Sequence, residues 1–192
     1  MIIGFAGTIG SGKTTAAHYL RNMHRWTLCS FAGALKLGWA NMLGIPSALL
    51  YEEDFKNSLV DKELFGDLTH RKALQLFGTE CMRKHFGDDF WVKLLFYNAR
   101  RNHEDWNLNQ EENIVIDDVR FPNELDAITS RGGKVFRVVR DKSRGEGHAS
   151  ETALNDADLP IIKNDGDLEK LFATVRVTTE PFLEEVDPGV SW

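Results

Sequence analysis

Five short apolar runs recur along the chain, each set off by polar or glycine-rich sequence: "MIIGFA" at 1–6, "WTLCSFA" at 26–32, "NIVIDDV" at 113–119, "GKVFRVVR" at 133–140 and "LPIIKN" at 159–164. The stretches 114–116 and 135–139 are rich in Ile, Val and Phe, as strands buried on both faces should be. Segments of helical character alternate with these runs, which predicts an α/β fold with a mostly parallel sheet covered by helices. One helix should run from about Lys13 to Met23. Another should begin near Pro122 and stop at Gly132-Gly133, and a last helix, "LEKLFATV", should start behind Asp167 as N-cap. Between the second and third runs lie about 80 residues, roughly 33–112, far more than a crossover needs. This insertion should hold two helices, "THRKALQLFGTECMRKHFG" with Thr69 as N-cap and "DDFWVKLLFYNARR" with Asp88 as N-cap. The polar "RRNHEDWNLNQEEN" that follows reads as an exposed loop, and the tail "VDPGVSW" as irregular. No repeat, low-complexity tract or linker divides the chain, so a single domain with an insertion is expected.

Composition narrows the partners. At 192 residues the chain can bury a substantial core. It carries 23 Lys and Arg against 29 Asp and Glu, a net charge of −6, which argues against nucleic-acid or anionic-membrane partners. Cys29 and Cys81 lie in apolar surroundings without metal-type spacing and read as two reduced core thiols. No apolar run approaches the ~20 residues of a bilayer span, and the first strand begins without a basic, signal-like region. A cytoplasmic protein acting on small molecules is expected, and a homodimer stays open.

The segment "GFAGTIGSGKTT" carries the chemistry. Gly7, Gly12, Lys13 and Thr14 satisfy G-x-x-x-x-G-K-[ST] directly after a strand and directly before a helix, the context the pattern requires. Such a loop, here including Gly10, Ser11 and Thr15, turns successive N–H groups toward the β-phosphate of a nucleotide, and the positive end of the helix dipole adds to the attraction. Lys13 can reach the β- and γ-phosphates, and the Thr14 hydroxyl can hold Mg²⁺. A GTPase switch would follow its metal-binding Asp with x-x-Gly and read guanine with Asn-Lys-x-Asp. Here the strand continues "IDDVRFPNE", and the late "IIKNDG" lacks the Lys. A motor ATPase needs more chain, so a small P-loop kinase using ATP and Mg²⁺ is expected.

Acceptor residues are sought in the insertion. On a regular α-helix turning about 100° per residue, Ala73, Leu74, Phe77 and Cys81 cluster on one side and Arg71, Gln75, Gly78, Thr79 and Met82 on another. Arg can hold a monophosphate bidentately, Gln can pair with a base edge and Gly permits close approach. An ordinary solvated polar face fits the same pattern. The third apolar run ends in Asp117, Asp118 and Arg120, at the sheet edge where α/β proteins bind ligands. Alternation places Asp118 and Arg120 on one side, with Glu124 in the next helix. An Asp there can hold Mg²⁺ through water and an Arg can neutralise a transferring phosphoryl group; an Arg120–Glu124 ion pair is the structural alternative. After the fourth run, Arg137, Arg140, Lys142 and Arg144 suit either a lid at about 140–150 or a surface loop, and His148 suits a local hydrogen bond rather than a base.

Together "GTIGSGKTT", "RKALQLFGTE" with "FWVKL", "DDVRFPNELDA", "HASE" and "IIKNDGDLEKLF" resemble the deoxynucleoside monophosphate kinases carried by tailed bacteriophages. The resemblance implies an adenylate-kinase-like P-loop fold with a five-stranded parallel sheet, a helical acceptor region and a short lid, and transfer of the ATP γ-phosphoryl group to a dNMP. It further implies that Arg71, Lys72, Gln75, Gly78, Thr79 and Trp91 line the acceptor site, that Asp118, Arg120 and Glu124 close it near the phosphates, and that Asn164 to Gly166 lie beside the donor adenine. Lys13, Arg120 and Asp118 become the expected catalytic set, with Thr14 and Asp118 at the metal. Relatives can carry Asp directly after the P-loop lysine, where this chain has Thr14 and Thr15, and the insertion is short for the family. A dephospho-coenzyme A kinase, a ribonucleotide kinase and a nucleotide-dependent switch are the rival expectations.

Overall fold

The computed structural model describes residues 1–101, 113–140 and 153–186. The polar loop expected after Arg101, the lid segment with Lys142, Arg144 and His148, and the tail from 187 lie outside them. The chain divides into two compact units, Met1–Ser30 with His103–Trp192, and Phe31–Asn102.

The first unit is built on five strands: β1 Ile2–Ala6, β2 Thr27–Cys29, β3 Ile114–Val119, β4 Lys134–Val139 and β5 Ile161–Lys163. All pair in parallel, in the order β2-β3-β1-β4-β5. From β1 the chain crosses to the edge strand β2, returns inward with β3 and then builds outward on the other side of β1 with β4 and β5, so the direction of winding changes at β1, the place where open α/β sheets form a crevice at the carboxyl ends of their strands. Alternation along β1 sorts the layers. Ile3 and Phe5 pack with Ala16, Ala17 and Leu20 of α1 (Lys13–His24) and with Leu171, Val175 and Leu183 of the last helix, here α9 (Leu168–Val186). Gly4 faces the other way, where a Cβ would meet Ile128 of α8 (Pro122–Thr129). Helices therefore cover both faces, and β3 is buried along its whole length. Asp167 accepts from the Lys170 N–H and starts α9, which continues well past the expected "LEKLFATV".

The second unit is helical. It holds α2 Gly33–Leu43, a 3₁₀ turn Ser47–Tyr51, α3 Glu53–Asn57, α4 Lys62–Phe65, α5 His70–Gln75, α6 Lys84–Phe86 and α7 Phe90–Arg101. Helix α2 was not expected, although Gly44 supplies its end signal: in the left-handed region at φ 66°, its N–H meets the carbonyls of Ala40 and Asn41. Thr69 caps α5 by accepting from the Lys72 N–H. The helix that follows is not the uninterrupted α-helix expected, because Leu76–Arg83 is π-helical and turns less per residue. The two core thiols need the same correction. Cys81 falls in the π stretch and is rotated to the surface, and Cys29, on edge strand β2, is half-buried. Among the described residues no helix is long and apolar enough to cross a membrane.

Candidate functional site

The loop between β1 and α1 has the backbone its glycines allow. Gly7 lies at φ +140°, and a Cβ there would run into the Val138 carbonyl oxygen of β4. Gly12, at φ +105°, forms the entry to α1. Asn164, at the end of β5, donates from Nδ2 to the Ser11 carbonyl at 2.8 Å and fills the space where a Gly12 Cβ would stand. The Ser11 hydroxyl is fully buried with no hydrogen-bond partner among the described residues. Lys13 folds back over the loop, its Nζ donating to the carbonyls of Gly7 and Thr8 at 2.7 Å each. These carbonyls hold the ammonium against the loop itself, and Thr14 and Thr15 follow Lys13 in the first turn of α1.

The carboxyl end of β3 completes this side. Pairing with β1 runs Gly4 to Ile116 and then Ala6 to Val119, so Asp117 and Asp118 both stand opposite Phe5. Such a slip re-aims side chains relative to simple alternation. The Thr14 hydroxyl donates to Asp117 Oδ2 at 2.9 Å, and the Ser30 hydroxyl donates to Asp118 Oδ2 at 2.8 Å. It is thus Asp117, not the expected Asp118, whose carboxylate meets Thr14. Hydroxyl and carboxylate are the hard oxygen donors that suit Mg²⁺, an ion that keeps several water and phosphate ligands. Arg120 and Glu124 do not meet through an ion pair of side chains: Glu124, 2% exposed, accepts from the Arg120 and Phe121 N–H groups at 2.7 and 3.0 Å and closes the entry to α8. Arg120 lines a cavity of ≈ 200 Å³ with Gly7, Thr8, Arg137, Leu154 and Asn155. Arg137, the first of the basic residues that suit either a lid or a surface loop, donates to the carbonyls of Leu154, Asn155 and Ala157. It ties the turn at 154–157 to β4.

In the second unit, Arg71 is half-buried at the start of α5. It donates from Nε to Asn57 Oδ1 at 2.9 Å and pairs through Nη2 with Glu53. Burial acts to raise the Glu53 carboxyl, but the hydrogen bonds and charges of Lys56 and Arg71 outweigh it and hold the group below its ordinary range. Lys72 is exposed, and Gln75 and Thr79 are half-buried on the same helix. Gly78 does permit a close approach, but in this structure the neighbour is Leu35 of α2, whose Cδ2 would lie 2.8 Å from a Cβ there. Trp91 is 6% exposed and donates to the Gly78 carbonyl at 2.9 Å, the geometry of a packing residue. The residues that sequence reasoning missed are Glu53 and Asn57, which no motif marks, and His70. The last is buried against Phe55 with its Nδ1 accepting from the Trp39 indole at 3.2 Å. Asp117 was in view, but alternation could not choose between it and its neighbour.

A glycine-rich loop bridging the first parallel strand and a helix, with a lysine folded across it and a threonine on a strand-end aspartate, defines the first unit as a P-loop nucleotide-binding domain. The sequence model of the deoxynucleotide monophosphate kinase family matches residues 46–175, and the chain belongs to that family. It is 30% identical over 172 residues to a protein of Acanthamoeba polyphaga mimivirus named provisionally as a deoxynucleotide monophosphate kinase, covering 85% of this chain and 89% of that one. It is 33% identical over 113 residues to the deoxynucleotide monophosphate kinase of Enterobacteria phage T4, covering 56% of this chain and 44% of the phage protein. Among solved structures, dephospho-CoA kinase from Campylobacter jejuni is 15% identical with a TM-score of 0.46, covering 98% of each chain.

Proposed function

We propose that the chain catalyses ATP + dNMP ⇌ ADP + dNDP by direct in-line transfer of the γ-phosphoryl group. The observation that carries this reading is the Thr14–Asp117 pair at the mouth of the P-loop, in a chain of this family. The N–H groups of the loop hold the β-phosphate, and Lys13 exchanges its two loop carbonyls for phosphate oxygens when ATP enters. Thr14 and Asp117 are the residues that would hold Mg²⁺, which supplies neutralisation of the phosphate charge when bound. Asp118, the next residue of β3, accepts from Ser30. Arg120 offers a guanidinium to the transferring phosphoryl group, and its cavity with Gly7 and Thr8 supports that role.

On the acceptor side Arg71 takes the monophosphate, with Lys72, Gln75 and Thr79 on the same helix for the rest of the nucleotide. Little covalent chemistry falls to the protein; phosphoryl transfer asks for position and charge.

The test is ADP formation with ATP, Mg²⁺ and a panel of the four common dNMPs, their ribonucleotide counterparts and dephospho-coenzyme A. ADP should appear with dNMPs and much more slowly without an acceptor, and Lys13→Ala should abolish it while leaving the far-UV spectrum unchanged. Turnover with dephospho-coenzyme A alone, or equal ADP release with no acceptor present, overturns the reading.

A further inference from the structure

Arg71 is gripped before any ligand arrives. Its Nε donates to Asn57 Oδ1 at 2.9 Å and its Nη2 to Glu53 Oε2, while Glu53 Oε1 accepts from Lys56 Nζ at 2.6 Å. The three residues all belong to α3, one turn of helix none of whose residues is buried, with Glu53 and Asn57 exposed at its surface. A guanidinium carries five N–H donors in a rigid plane. Asn57 and Glu53 together take the edge formed by Nε and Nη2. Among the described residues the edge formed by Nη1 and the second hydrogen of Nη2 is left, and that fork matches two oxygens of a phosphate.

We propose that Glu53 and Asn57 are positioning residues for the acceptor: they lock Arg71 so that its remaining edge is presented to the phosphate of the incoming monophosphate. The inference rests on the reading of Arg71 as an acceptor contact. An unrestrained arginine loses rotamer freedom on gripping a ligand, and one already held in place loses little. Lys56 balances the charge of the arrangement. Two cations share one carboxylate, so the cluster keeps a net positive charge toward a dianionic phosphate. The opposite role, in which Glu53 is an anion that the substrate must displace, predicts effects of the opposite sign.

Steady-state kinetics on the full chain, varying dNMP and ATP separately, decide between them. Glu53→Ala and Asn57→Ala should each raise the KM for dNMP about five- to tenfold, the size of one net hydrogen-bond contribution, with kcat and the KM for ATP within about twofold. Glu53→Gln, whose amide oxygen still accepts from Nη2, should restore most of the affinity. In an Arg71→Ala background, Glu53→Ala should add nothing further. A lowered KM for dNMP in Glu53→Ala, no rescue by Gln, or a parallel rise in both KM values overturns the proposal. If Arg71→Ala itself leaves the KM for dNMP unchanged, the acceptor reading of the helix fails; if it raises that KM while the Glu53 and Asn57 variants are silent, the positioning role alone fails.

Discussion

Replacing Asn164 by Ala tests whether this side chain braces the P-loop or reads the donor base. Asn164 is 6% exposed, and its Nδ2 donates to the Ser11 carbonyl at 2.8 Å from the carboxyl end of edge strand β5. The variant leaves that carbonyl buried without its partner, a loss of ~1–3 kcal/mol, and opens space beneath Gly12 that the amide now fills. At about 2–4 °C per kcal/mol for a chain of this size, Tm should fall by roughly 2–12 °C. A loop free to sag there presents its N–H groups less well, so the KM for ATP should rise several-fold while the KM for dNMP stays put. The preference among ATP, dATP and GTP should not move, because the amide serves the loop rather than the base. Differential scanning fluorimetry and donor-competition kinetics measure both. An unchanged Tm together with an altered donor-base preference would refute the bracing argument and return Asn164 to the adenine.

Three further substitutions follow from the geometry. Asp117→Asn should lower kcat on the order of 10²-fold, the scale of one lost electrostatic contact in a transition state, with partial recovery at raised Mg²⁺; Asp118→Asn, whose amide oxygen still accepts from Ser30, should be milder, and the reverse order in turnover assays would move the metal to Asp118. Trp91→Phe removes the donor to the Gly78 carbonyl and should lower Tm while leaving the kcat/KM ratio of dGMP to GMP unchanged; a changed ratio at constant Tm would instead make Trp91 a wall of the sugar pocket. Burial holds His70 below its ordinary value, so the folded state favours the neutral ring that accepts from Trp39, and the stability this contributes is present above about pH 6.5 and lost as pH falls through the lower folded value. Melting curves at pH 7.5 and 5.5 should therefore converge for wild type and His70→Gln at the lower pH, and a constant difference would detach His70 from the acid sensitivity.

The sheet, its parallel sense and the helix starts at Lys13, Pro122 and Leu168 were legible because each rests on a local pattern. An apolar run has a length, a glycine-rich turn has a spacing and an N-cap such as Asp167 has an identity. The P-loop was legible for the same reason, since the residues of its motif lie within twelve consecutive positions. Asn164 and Ser11 are 153 positions apart, and nothing short of the fold brings them together. Glu53 and Asn57 likewise look like ordinary polar residues of a short helix until Arg71, on a different helix, is set beside them.

Periodicity arguments fail at a different kind of place, where the period itself changes. Both site segments contain such a place. In β3 the register slips between Ile116 and Val119, so counting by alternation breaks down at Asp117 and Asp118, the two residues it was used to sort. In the acceptor helix the backbone passes into π geometry at Leu76, so side chains before that point stand where a regular helix puts them and those after it are rotated progressively. Ala73 and Leu74 are buried as expected and Arg71 emerges on the polar side, whereas Cys81 has left the core and Gly78 faces Leu35. The π stretch also sets the Gly78 carbonyl where the Trp91 indole reaches it, which ties the irregular turn to α7. The change of period leaves the helical counting intact for Arg71, Lys72 and Gln75, which precede it, and the acceptor face proposed above is drawn from α5 and its neighbour α3 rather than along the whole helix.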